Sequence, residues 1–266
     1  MNKPTLFFIH GMWSTPDIFT PFADWFEGAG YTVRRATLRH HDVRPDDPVP
    51  EELGGTSLLD YAADLESELK EFDEPPVIIG HSMGGALAQM LAARGLGRAA
   101  VLLCPAPLAG RQAVWEVLSP SVAYTLMPSL LTKSLFGKPT RLGWHRARFS
   151  ELNVLTEQEA REKYADFISE SGRVLFELGL WFLDRRKASW VDMANIRQPA
   201  FTAAGGRDRI VTAWSVASTA RKLARNNRAN TYVEYPQHGH WIIGEPGWQA
   251  VAEDIRGWLE SLGNGA

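Results

Sequence analysis

The stretch Val77-Ile78-Ile79-Gly80-His81-Ser82-Met83-Gly84-Gly85-Ala86-Leu87-Ala88-Gln89-Met90-Leu91 decides the reading of this chain. Its first residues are a short apolar run with β-branched side chains, the mark of a buried strand; its last are small and unbranched apolar residues, the mark of a buried helix. Between them lies G-x-S-x-G, a weak string alone and a specific one at a strand-to-helix junction. Glycines on either side let the backbone turn within two residues, which forces the serine into a strained conformation. Its hydroxyl is then exposed at the N-terminus of the helix, where amide groups face any anion that forms. Ser82 is thus a candidate nucleophile; the plainer reading is a serine in a packing turn.

Outward from this junction the pattern repeats. Thr5–Ile9, Thr32–Thr37, Pro76–Gly80, Ala99–Cys104, Ala200–Ala204 and Asn230–Tyr235 read as strands. Helical patterns lie between them near Ile18–Glu27, Ser57–Phe72, Met83–Arg94, Trp214–Asn227 and Trp248–Leu262. Strands apolar on both faces, each followed by a helix, imply a parallel sheet covered on both sides. The class is α/β, with a mostly parallel sheet of about six strands.

The alternation stops after Cys104-Pro105 and resumes near Pro199. Residues 106–190 are helical in pattern and aromatic, and Thr156-Glu157-Gln158-Glu159 has the form of a capping box. This segment carries 12 basic and 9 acidic residues, so it is positive inside a chain of net charge −3. The predicted division is a core of 1–105 and 191–266 with a helical lid at 106–190. Apolar side chains of that lid, among them Trp144 and Trp181, and Trp13 after the first strand, are candidates to line an apolar pocket.

A serine nucleophile needs a base, and the base an orienting acid. His238 and His240 follow the last predicted strand; Asp208 follows the strand before it, and Asp192 is the other candidate acid. The order Ser82, Asp208, His240 is the one expected when all three hang from loops at the C-terminal ends of strands. Other polar groups read as ordinary. His40-His41-Asp42 lacks the spacing of a metal site and reads as loop polarity. Arg141, His145, Arg146 and Arg148 read as a solvated helix face, the alternative being a grip on a substrate anion. Cys104 reads as a buried filler.

The 266 residues are 45% hydrophobic and 22% charged. This excludes disorder and coiled coil, and the near-neutral charge speaks against a nucleic-acid partner. One cysteine excludes an internal disulfide. No apolar run is long enough for a membrane span or signal peptide. A cytoplasmic protein without a cofactor or metal is expected, its oligomeric state open.

With these residues in place the sequence resembles the α/β-hydrolases. Four matches carry the resemblance: Phe7-Phe8-Ile9-His10-Gly11, Gly80-His81-Ser82-Met83-Gly84-Gly85, Gly205-Gly206-Arg207-Asp208 and Gly239-His240. It spans nearly the whole chain outside 106–190. It implies that the amides of Met12 and Met83 receive an oxyanion, and that the base directly follows a glycine, which favours His240 over His238. The chain departs from the family in one respect: only three or four residues precede the first strand, so the antiparallel hairpin that usually opens the fold is expected to be missing, and the resemblance then implies six parallel strands in the order 4-3-5-6-7-8 of the family's count. The activity implied is hydrolysis of a carboxylic ester, thioester or lactone of a hydrophobic small molecule through an acyl-enzyme. Acyl transfer, lyase or cofactor-free oxygen chemistry and a ligand-binding receptor are the alternatives on the same scaffold.

Overall fold

The computed structural model describes residues 3–225 and 229–263. The predicted helix Trp214–Asn227 runs past this limit, and its Asn226 and Asn227 lie outside the described residues. Six strands form one sheet: β1 (Leu6–Ile9), β2 (Val33–Ala36), β3 (Val77–His81), β4 (Ala99–Leu103), β5 (Ala200–Gly205) and β6 (Asn230–Tyr235). Every pairing is parallel, and the order is β2-β1-β3-β4-β5-β6. That is the order the resemblance implies. Among the described residues the sheet holds no antiparallel strand.

Side chains alternate across a strand, so a sheet buried on both sides needs apolar residues at every position. The central strands β1, β3, β4 and β5 are buried throughout, while the edge strands β2 and β6 are only partly so. Phe7, Ile9, Ile78, Ala100 and Leu102 face one way, against α2 (Leu58–Leu69), α3 (Met83–Ala93) and Leu223 of α9 (Ala213–Ala224). Leu6, Phe8, Val77, Ile79, Val101 and Leu103 face the other way. They meet Phe22 and Phe26 of α1 (Thr20–Gly28) and Val251, Ile255 and Leu259 of α10 (Trp248–Gly263). Each such side chain contributes roughly 1.5–3 kcal/mol on burial.

Between β4 and β5 run α4 (Arg111–Leu118), α5 (Pro120–Thr132), α6 (Trp144–Ser150), α7 (Glu157–Ala165) and α8 (Gly172–Gly179). The capping box forms at α7: Thr156 accepts from the Glu159 amide, and the Glu159 carboxylate takes the Thr156 amide. These helices lie over the loops at the C-terminal ends of the strands. Ile168 N–H donates to Trp13 O (2.9 Å), Asn153 Nδ2 to Arg207 O (2.9 Å) and Gln112 Nε2 to Ser215 O (2.6 Å).

Three buried glutamates fix the insertion to the core. Glu116 accepts from Thr212 N (2.5 Å) and Thr212 Oγ1 (2.9 Å). Glu170 accepts from Tyr61 Oη (2.8 Å) and meets His41 Nε2 at 3.2 Å. Glu177 accepts from Ser57 Oγ (2.7 Å) and Leu58 N (2.8 Å) at the start of α2. His41, expected as loop polarity, is therefore a buried partner of Glu170.

Candidate active site

Strand order reverses between β1 and β3: the chain moves outward to β2, then returns and builds β3 to β6 on the other side. Open parallel sheets form a crevice at such a switch point, beyond the strands' C-terminal ends. The Gly11-Met12-Trp13 loop after β1 and Ser82 after β3 border that crevice.

Ser82 joins β3 to α3 with φ 55° and ψ −119°. A side-chain-bearing residue is held there only if its surroundings dictate it. Close packing does so: a Cβ on Gly84 would lie 2.0 Å from Ile9 O, so only glycine lets the turn press against β1. Met83 is the first residue of α3, and its amide has no acceptor within the helix. Positive φ also occurs at Trp13 (58°) and Cys104 (44°), in the loops after β1 and β4. These three residues lie around one end of the sheet.

Asp208 and His240 hang from the loops after β5 and β6, and these loops are in contact. A Cβ on Gly205 would lie 2.0 Å from Gly239 O. Asp208 Oδ1 accepts from the amides of Ile210 (2.9 Å) and Val211 (2.8 Å), leaving Oδ2 to His240 Nδ1 at 2.7 Å. A carboxylate only accepts, so Nδ1–H is the donor and the neutral ring carries its lone pair on Nε2. That Nε2 is buried without a hydrogen-bond partner. Burial alone would lower the imidazole's pKa, but the charges of Asp208, Glu151 and Glu245 and the Asp208 hydrogen bond raise it to about 9. The tie to the nucleophile runs through His81, next to Ser82. Its Nε2–H donates to His240 O at 2.8 Å, and the two rings are 4.8 Å apart. Burial, then the charge of His240, holds the His81 pKa at about 3, so this ring stays neutral.

The alternatives weighed in the sequence stand elsewhere. Asp192 caps a short turn by accepting from Ala194 N (3.0 Å). His238 has Nδ1 3.3 Å from Glu245 Oε2 and does not meet Asp208. Glu245 is a buried residue that the sequence did not reveal; it accepts from Gly239 N (2.7 Å) and Trp241 N (3.1 Å), bracketing His240. Arg207 reaches Gln237, and Arg209 stacks over Phe149, so neither pairs with Asp208. Three of the four basic candidates of the insertion hydrogen-bond to backbone carbonyls. Arg141 donates to Pro45 O, Arg146 to Tyr124 O and Arg148 to Leu152 O and Leu155 O. Cys104 is buried near Asp208 and His240. Burial pushes its thiol pKa well up, which keeps it protonated.

A cavity of about 50 Å³ opens at Ser82. Met12, Trp13, Val117, Val122, Leu126, Leu175, Leu178, Ile210 and Val211 line it, with Glu116 as its one carboxyl group. Burial, opposed by the Thr212 hydrogen bonds and aided by the Asp208 charge, raises the Glu116 pKa to about 7. The apolar lining from the insertion is aliphatic. Of the three tryptophan candidates only Trp13 borders the cavity. Trp144 packs edge-on to Tyr164 under Arg161, and Trp181 packs against Phe182. Trp115 and Trp190 are exposed.

A family model described as the alpha/beta hydrolase family matches residues 6–254. The chain belongs to that family. No curated protein matches the sequence. Among solved structures, a monoacylglycerol lipase of Paleococcus ferrophilus superposes with a TM-score of 0.67 at 19% identity, covering 98% of this chain and 96% of its own. An extracellular alpha/beta-hydrolase from a Paenibacillus species gives 0.69 at 17% identity, covering 95% and 97%. A methylesterase from Arabidopsis gives 0.66 at 12%, covering 96% and 98%. At these identities the likeness is one of fold. No helix among the described residues is long and apolar enough to cross a membrane.

Proposed function

We propose that this protein is a serine hydrolase that cleaves a carboxylic ester, thioester or lactone of a hydrophobic small molecule through an acyl-enzyme. The observation that carries the reading is His240, held through Nδ1 by Asp208 with a buried Nε2 that makes no hydrogen bond, and tied by His81 to the strained turn that presents Ser82. Nearby folds that include a lipase and a methylesterase support the same class.

In this reading Ser82 Oγ adds to the acyl carbon as its proton passes to His240 Nε2. Asp208 keeps the ring in the required tautomer and stabilises the imidazolium. The carbonyl oxygen becomes an oxyanion facing the amides of Met12 and Met83, fixed dipoles that need not reorganise during the step. The carbon–oxygen or carbon–sulfur bond to the leaving group then breaks, and His240 returns the proton to that group. Water, deprotonated by His240, attacks the acyl-Ser82 ester; the bond from the acyl carbon to Ser82 Oγ breaks, His240 returns the proton to Oγ, and the acid is released. Residues 106–190 act as a lid, and the acyl chain occupies the aliphatic cavity they share with Met12, Trp13 and Ile210. A panel of acyl esters, thioesters and lactones tests this. Turnover of at least one class is expected; none, in a folded protein, contradicts it.

A further inference from the structure

Glu151 follows α6 in the insertion and turns its carboxylate inward, with 7% of the side chain exposed. Its Oε2 lies 3.6 Å from His240 Nε2, on the side of the ring opposite Asp208. Four other groups face His240. Asp208 comes from the loop after β5, His81 from the end of β3, Cys104 from the end of β4 and Glu245 from the turn before α10. His81 is neutral, the Cys104 thiol keeps its proton, and Glu245 spends its oxygens on the backbone around His240. The ionic groups around the ring are thus three carboxylates.

Because Nδ1–H is committed to Asp208, a neutral His240 shows Glu151 only a lone pair, and a lone pair does not attract a carboxylate oxygen. The approach is favourable once Nε2 is protonated, as imidazolium beside carboxylate; at 3.6 Å no hydrogen bond forms and the two couple through charge, so they titrate as a pair. The same Nε2 must be bare to take the proton of Ser82. We infer that Glu151 is a positioning residue that occupies the Nε2 side of His240 and sets the pH above which this imidazole becomes a base for Ser82, an inference that rests on the triad reading above. Glu151's own chemistry agrees: burial raises its pKa to about 7, against the opposing charge of His240. While the carboxylate is charged, the imidazole keeps its second proton into the alkaline range. The base form, and kcat/KM with it, then grows as pH rises toward 9.

Glu151→Gln removes the charge at nearly constant shape, and Glu151→Leu also removes the hydrogen-bonding group. Two measurements follow in each: the pH dependence of kcat/KM, and the titration of the His240 ring nitrogens by NMR. Both variants should move the acid limb and the His240 titration down by about one pH unit, the smaller end of what an opposite charge within ~4–6 Å produces. At neutral pH this is a gain of about tenfold in kcat/KM. An unmoved His240 titration in both variants would overturn the inference, whatever happens to the rate. A titration that moves in a protein without ester turnover would instead uphold the pairing and sink the triad reading.

Discussion

The sheet core and the helical insertion bury their surfaces by different means. Across the central strands the core buries aliphatic and aromatic side chains at every position, with charges kept to the edges and outer helix faces. The insertion has a smaller apolar core of its own and leaves Trp115, Phe136 and Trp190 in solvent. Apolar contacts join it to the core, with Val174 and Leu178 in the sheet's own cluster and Phe167 stacked on Trp241, but its distinctive anchors are carboxylates: Glu116, Glu170 and Glu177 are buried on hydroxyls, amides and a histidine of the core. Although 106–190 is positive in composition, its buried charges are largely acidic and its cations lie mostly outward. An apolar contact tolerates sliding; a buried carboxylate with two or three donors does not. In the proposed reading the core supplies the reacting groups, and the insertion holds a roof over them in one position.

That division implies a graded set of outcomes. Changes to the core's reacting groups should be the most severe. Ser82→Ala should lower kcat by roughly 10⁴–10⁶ with unchanged thermal unfolding, since one hydroxyl is lost from an open turn. Asp208→Asn should cost about 10⁴ by leaving His240 in the wrong tautomer. His238→Ala should cost far less than His240→Ala in the same assay. If the His238 variant were the inactive one, the base would have to be reassigned.

Next come the clamps. Glu177→Ala strands Ser57 Oγ–H, the Leu58 amide and Arg173, and should lower unfolding free energy by about 3 kcal/mol in urea titrations. Glu157→Ala, on the exposed face of α7, should stay within about 0.5 kcal/mol. Equal losses would erase the contrast between buried and surface carboxylates. The smallest effect expected is on specificity. With about 0.8 kcal/mol for each buried CH₂, acyl esters two to four methylenes longer than acetyl should gain one to two decades in kcat/KM. A flat or falling series from acetyl to hexanoyl would refute an apolar acyl site while leaving the triad intact.

The core and the candidate reacting groups were legible in the sequence because they depend on local pattern. An apolar run of five, a glycine-flanked serine and a glycine before His240 each have a meaning within a few residues. The insertion's working residues have no such signal. Glu170 meets His41 across 129 positions and Glu177 meets Ser57 across 120, so each reads in the sequence as one more solvated charge. The aromatics misled in the opposite way. Trp144 and Trp181 suggested a pocket wall, whereas the cavity at Ser82 is lined from the insertion by Val117, Val122, Leu126, Leu175 and Leu178. Glu245 and Glu151 were equally hidden, since nothing in the chain marks which glutamate will face a histidine.

The central claim is that the strained turn after β3 presents an activated nucleophile. Labelling the intact protein with a fluorophosphonate, followed by peptide mapping, tests it most directly. A single covalent adduct on Ser82 is expected, formed much more slowly in His240→Ala and absent in Ser82→Ala. An adduct at another residue, or labelling of Ser82 at the same rate without His240, would contradict it.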